Sequence, residues 1–159
     1  MTKIIFVCGR LCSGKSTYAK RLKNHHSIIL SSDKLMRDVF AHERCLEHFS
    51  KLARAQSYLY DLAECLLDIN VDVILDFGFW NKSDRDSLRS RFSKQGHIVE
   101  VHYTDVDDVT RAQWIKARNE LIDAGLSEEY YITEEAFQRL DPMFEVPDPQ
   151  EVDVHVKHQ

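Results

Sequence analysis

No apolar run in this chain approaches the roughly 18–20 residues that a helix needs to cross a bilayer. The opening apolar stretch, Ile4 to Cys8, is too short for the core of a secretory leader and runs directly into a glycine motif. Both absences place the expected site of action in the cytoplasm, away from any membrane. Cysteine is sparse. Cys8, Cys12, Cys45 and Cys65 include no Cys-x-x-Cys pair and no zinc spacing, so neither a disulfide framework nor a structural zinc site is expected. Free thiols suit a reducing compartment. The histidines also lack metal spacing, and His25, His26, His155 and His158 are expected at the surface. An excess of positive charge is missing as well. The net charge is −5, which disfavours extended nucleic-acid binding, because that requires a basic face. Glycine and proline are scarce, at five and three residues, and nothing resembles a linker, a repeat or a low-complexity tract. A chain of 159 residues is then expected to form one domain over 1–159, as a monomer or homodimer.

What is present is an alternation of short apolar runs and amphipathic stretches. Thr2 to Cys8, Ser27 to Leu30, Val71 to Phe77, His97 to Tyr103 and Val152 to Val156 have the composition of strands. Helical spacing fills the intervals, from Ser16 to Lys23, Glu43 to Asp68, Ser83 to Lys94, Asp107 to Ala124 and Glu134 to Leu140. Ser83 is the expected cap of the third of these, and Gly96 its stop. Such alternation predicts an α/β fold with a five-stranded parallel sheet and helices on both faces. Ligands on such sheets bind at the carboxyl ends of the strands. Three polar segments follow three strands, at 9–16, 33–37 and 76–81, and are expected to meet on one rim.

Gly9-Arg10-Leu11-Cys12-Ser13-Gly14-Lys15-Ser16 matches G-x-x-x-x-G-K-[ST] between an expected strand and an expected helix. Glycines let the backbone curl against phosphate oxygens without a Cβ in the way. Loop amides and the helix N-terminus then form an anion nest. Lys15 is expected at the β- and γ-phosphates of ATP, and the Ser16 hydroxyl on Mg²⁺. Cys12, inside the loop, is expected to be an alkylatable thiol that bound ATP protects.

Asp33 and Arg37 lie four apart, which on a helix is one face. Beside a phosphate loop, Asp33 is placed to accept the proton of an attacking hydroxyl, and Arg37 to hold the acceptor. The plainer reading is a helix cap and a surface pair. Asp76 closes an apolar strand, the Walker B pattern of a Mg²⁺-binding acid. Trp80 walls an acceptor pocket or belongs to the core, and Arg85 is a candidate acceptor contact or a solvated charge. Arg111 and Arg118 are seven apart on one expected helix face. Arg118 is expected to neutralise the transferring phosphate as a lid residue. Arg111 either stacks on adenine or is solvated.

With Thr17 added to the loop, and with Ser32-Asp33-Lys34-Leu35-Met36-Arg37, Leu75-Asp76-Phe77-Gly78-Phe79-Trp80 and Arg118-Asn119, the chain resembles the small bacterial P-loop kinases. These group with the kinase domain of polynucleotide kinase, chloramphenicol phosphotransferase and zeta toxin, among AAA-type ATP-binding proteins. The resemblance runs from the first strand to Pro147. It implies a nucleoside-kinase-like P-loop NTPase fold and transfer from Mg-ATP to a hydroxyl. It also implies Asp33 as base, Arg37 as acceptor contact and Arg118 in the lid. The polynucleotide kinases have Asp-x-x-Arg, whereas Arg37 is one residue later, which favours a small-molecule acceptor. A nucleotide or polynucleotide 5′-hydroxyl kinase and an ATP-binding or hydrolysing module without acceptor are the alternatives.

Overall fold

The computed structural model describes residues 1–40 and 47–158. Five strands form the sheet: β1 (Lys3–Gly9), β2 (Ser27–Ser31), β3 (Asp72–Gly78), β4 (Ile98–Val106) and β5 (Val154–His158). All pair in parallel, in the order β2-β3-β1-β4-β5. The strand that feeds the glycine loop is therefore central, with an acid-bearing strand on one side and β4 on the other.

Alternate residues of β1 go to opposite faces, as the pleat requires. Ile4, Phe6 and Cys8 share one core with Leu59, Ala63 and Leu67 of α3 (His48–Asp68) and Leu88 and Phe92 of α4 (Lys82–Lys94). Val7 and Ile5 pack on the other face with Ala19 and Leu22 of α1 (Lys15–Leu22). Helices thus cover both faces, which explains why these strands read as unbroken apolar runs. Phe6 stacks on Phe79 at 4.7 Å and meets Phe92 edge-on at 6.2 Å. Each such buried ring stabilises the fold by about 1.5–3 kcal/mol.

Several boundaries differ from expectation. A helix that was not among those expected, α2 (Ser32–Phe40), opens directly after β2, so Asp33 and Arg37 do share a helix. The expected helix from Glu43 is seen from His48, and its residues 43–46, Cys45 included, lie outside the described residues. Asn81, rather than Ser83, caps α4, because its extended backbone lets the side-chain oxygen accept from the Asp84 amide. Gly96 does end that helix. Its φ of 88° allows the Gly96 and His97 amides to return to Ser93 and Phe92. Strand β5 starts two residues late because Asp153 is a hook: its carboxylate accepts from the Val101 amide at 2.8 Å and from Arg89 at 2.6 Å. α5 (Asp108–Asp123), α6 (Glu134–Leu140) and a 3-10 turn (Asp141–Met143) complete the described chain. Among the described residues no helix is long and apolar enough to cross a membrane.

Candidate active site

Glycine is required twice in the loop after β1. A Cβ on Gly9 would run into Thr104 Oγ1 and Ser13 Oγ. Gly14 has φ +80°, and a Cβ there would meet Trp114 and His158. Cys12 also adopts positive φ, 55°, so the loop turns through two left-handed residues. The turn is held from below. Ser13 Oγ and Thr104 Oγ1 lie 2.8 Å apart, and Thr104 donates to the Cys8 carbonyl at 3.2 Å. Lys15 Nζ folds back to donate to the Arg10 carbonyl at 2.5 Å. The Arg10 side chain itself is engaged outside the loop, with Asp108 at 3.1 Å.

Residues 11–17 line a cleft of about 900 Å³. The same cleft takes in Asp33 and Arg37 from α2, Asp76 and Trp80 from β3 and its following turn, and Arg118 from α5. The three polar segments separated in the sequence do converge on one rim. Ser16 Oγ donates to Asp76 Oδ2 at 2.6 Å. Burial lowers the Lys15 pKa, against the opposing pull of Asp76 and Asp33. Burial likewise raises Asp76, while the Ser16 hydrogen bond and Lys15 oppose that and Asp33 and Glu129 add to it. Lys15 and buried Asp76 therefore sit close enough to feel each other and the charges of Asp33 and Glu129.

Four expected site residues do not line the cleft: Gly9 and Arg10, where the loop leaves β1, and Arg85 and Arg111. Arg85 is 2% exposed, and its guanidinium is consumed by Glu151 at 3.0 Å and by the carbonyls of Phe79 and Glu145, both at 3.0 Å. It is a strut rather than an acceptor contact. Gly78 and Phe79 have φ of 85° and 51°, and Arg85 ties down the carbonyl of that strained turn, which sets the position of Trp80. Arg111 is equally buried. It pairs with Asp141 and Asp108, and its guanidinium lies 4.9 Å from the Phe137 ring centre. Seven residues of helix span about 10 Å, so a shared face does not carry Arg111 to the place Arg118 occupies. Arg111 anchors the base of α5 and does not present a free face for adenine.

Arg118 does reach the cleft, and there it meets a residue that sequence reading missed. Glu129 Oε2 accepts from Arg118 Nη2 at 3.3 Å and from Arg37 Nη1 at 3.1 Å. Arg118 Nε also donates to the Tyr130 carbonyl at 3.0 Å. The segment is held on α5 by Asn119, whose amide bonds both ways to the Ile132 backbone, at 2.7 and 2.9 Å. Glu129 stands in an irregular segment without periodicity, and nothing in its local sequence marks it. Thr104 was missed too, although a signal existed: like Asp76, it is a polar residue near the end of an apolar strand.

A family model described as an AAA domain matches residues 4–147. The chain belongs to this AAA_33 family. No curated protein sequence matches the chain. Among solved structures, Chaetomium thermophilum Kti12 in complex with ADP-AlF3 is similar at TM-score 0.72 and 23% identity, over 98% of this chain and 88% of that one. A sugar kinase from Janibacter sp. is similar at TM-score 0.64 and 16% identity, over 99% and 86%. The APS kinase CysC of Mycobacterium tuberculosis, in complex with AMPPNP and APS, is similar at TM-score 0.65 and 18% identity, over 98% and 88%. The AAA_33 chain therefore has a P-loop kinase-like fold, with the all-parallel sheet expected of it.

Proposed function

We propose that this AAA_33 protein transfers the γ-phosphate of Mg-ATP to a hydroxyl group of a small molecule in the cytoplasm. The observation that carries this reading is the Ser16–Asp76 contact of 2.6 Å beside Lys15, in a cleft that Asp33 also lines. In the reaction, loop amides and Lys15 hold the β- and γ-phosphates, and Arg118 meets the charge that spreads over the transferring group. Asp33 accepts the proton as the acceptor oxygen attacks phosphorus and the bond to the β-phosphate oxygen breaks. Arg37 fixes the acceptor. The donor set suits Mg²⁺: a hydroxyl and a carboxylate within hydrogen-bond distance are hard oxygen ligands, and this ion takes its other ligands from phosphates and water. Bound there, Mg²⁺ supplies neutralisation of the phosphate charge.

The cleft supports a small acceptor. Asp33, Asp76, Asp84 and Glu129 offset Lys15, Arg37, Arg118 and Arg139 along its lining, whereas a polynucleotide groove is electropositive. Phe49, Tyr60, Phe77 and Trp80 give its lining an aromatic surface. The test is a [γ-³²P]ATP screen against pooled alcohols, nucleosides, sugars and short oligonucleotides. Asp33→Asn is expected to lower transfer to the best acceptor by about 10²–10⁴-fold while ATP affinity holds. Unchanged turnover in that variant removes Asp33 as base.

A second reading, a nucleotide-hydrolysing module without acceptor, draws on the Kti12 likeness and on Glu129 occupying Arg37 and Arg118 together. Acceptor-independent phosphate release that survives Asp33→Asn selects it.

A further inference from the structure

Arg37 and Arg118 stand on separate helices, α2 and α5, and the proposed transfer gives them separate tasks. In the structure one oxygen holds both. Glu129 Oε2 accepts from Arg37 Nη1 at 3.1 Å and from Arg118 Nη2 at 3.3 Å. The next residue grips the same two side chains. Its carbonyl accepts from Arg118 Nε at 3.0 Å, and the Tyr130 ring centre lies 5.6 Å from the Arg37 guanidinium. Glu129 and Tyr130 thus form a strap along the cleft, tied to α5 again through Asn119 and Ile132. The acid is the most open of the three charges: Glu129 is 40% exposed, Arg37 15% and Arg118 21%. The carboxylate can swing out into water while the two arginines stay in the cleft wall.

Neither arginine gives its full charge to a ligand in this arrangement. Part of each guanidinium is already taken by a carboxylate, so an incoming phosphate has to displace Glu129 or bind beside it. Binding beside it is unfavourable, because a fixed negative charge opposes the charge that gathers on a transferring phosphoryl group. Glu129 is close enough to the Ser16–Asp76 end for this to matter, since its charge contributes to the raised pKa of Asp76. The shared oxygen also couples the two arginines. An acceptor that draws Arg37 to itself removes one of the two cations holding Glu129 inward, and Arg118 is then released more readily.

We infer that Glu129 is a latch that keeps Arg118 from the terminal phosphate until an acceptor engages Arg37, and so holds back transfer to water. The inference rests on the phosphotransferase reading and deepens it. Glu129 is a positioning residue that acts through Arg118 and favours the acceptor hydroxyl over solvent. Transfer to water is the side reaction. A water oxygen bonds to the γ-phosphorus, the bond to the β-phosphate oxygen breaks, and ADP, inorganic phosphate and one proton leave. A cleft that admits a dissolved acceptor also admits water, so a restraint on Arg118 protects bound ATP.

The test needs no acceptor. Phosphate release from Mg-ATP is measured on the full chain for wild type, Glu129→Gln, Arg118→Met and the double variant. Glu129→Gln keeps the shape of a partly exposed side chain, so the fold is expected to hold, which thermal unfolding checks. It is expected to raise kcat for hydrolysis about tenfold, and Arg118→Met is expected to abolish that rise in the double variant. Glu129→Ala is expected to act in the same direction. A Glu129→Gln rate equal to or below wild type overturns the inference. So does a rise of equal size in the Arg118→Met background, which would reflect net charge alone. If neither Glu129 variant folds, the residue is a structural brace and the latch is likewise overturned. Calorimetry with Mg-ATP separates the two levels. Wild type that binds ATP while its variants fail these tests loses only the latch; wild type that binds none loses the phosphotransferase reading as well.

Discussion

Cys8 and Cys12 lie four residues apart and are in opposite chemical situations. Burial pushes the Cys8 thiol up to about 11, against the pull of Arg85 and Lys15. Only a minute fraction is thiolate at neutral pH, so Cys8 is inert. Cys12 lines the cleft. Iodoacetamide followed by peptide-resolved mass spectrometry is expected to label Cys12 and exposed Cys65 but not Cys8, and saturating Mg-ATP to slow Cys12 alone. Equal Cys12 rates with and without nucleotide would separate this thiol from the phosphate site. Arg85 shows the same competition between burial and charge. Its guanidinium is tolerable in the interior only because Glu151 and two carbonyls surround it. Arg85→Met keeps the volume but frees two carbonyls and leaves Glu151 only Lys82 at 3.6 Å and the Asp148 amide at 2.7 Å, so a loss of about 1–3 kcal/mol in urea unfolding is expected. The double variant Arg85→Met, Glu151→Leu should recover part of it, which a direct catalytic contact would not do. In the sequence Arg85 looked like a substrate group, because local spacing reports which face a side chain is on and not what covers that face.

Elements are joined by ion pairs whose sign with pH can be stated. α3 and α4 are linked by Arg91, which donates to Glu64 at 2.6 Å and to Asp61 at 2.9 Å. The Arg91 hydrogen bond holds the Glu64 pKa below its ordinary 4.5, outweighing burial. A carboxylate depressed on folding adds stability above its unfolded pKa and loses it as pH falls through the folded value. Glu64→Gln should therefore destabilise the protein at pH 7 and match wild type once the pH is well below 4.5. Because both partners are partly exposed, the difference at pH 7 is expected to be under about 1 kcal/mol. Unfolding free energies measured from pH 3 to 8 check the convergence; a gap that persists in acid would contradict the linkage. Element identity was legible in the sequence for the five strands and for five of the helices, but α2, which follows β2 with no intervening turn, was not among them. The α4 cap and the start of β5 were not legible either, since Asn81 and Ser83 are comparable caps and the Asp153 hook forms only with Val101 in place.

At the scale of the whole molecule, the cleft draws on the loop after β1, α2, α3, β3 and α5 together, so a ligand bridging them is expected to stabilise the entire fold. Mg-ATP at about a hundred times its Kd should add about 2.7 kcal/mol, a rise of about 5–10 °C in Tm for a chain of this size. Lys15→Ala should fold normally and lose most of that rise, because it removes a charged phosphate ligand without touching the core. A full shift in the variant, read by differential scanning fluorimetry, would show that the nucleotide binds elsewhere.

By itself the sequence determined the glycine loop, the acid at the end of β3, the placing of Asp33 and Arg37 one helical turn apart and the parallel α/β class. Each of these is written in residues close along the chain, where steric and hydrogen-bond rules act locally. Only the tertiary structure decided which arginines face the cleft, that one carboxylate of an irregular segment holds two of them, and that His158 lies against Gly14. Those outcomes join residues from 11 to 144 positions apart. They depend on strand order and on the packing of helices over the sheet, for which no local period exists.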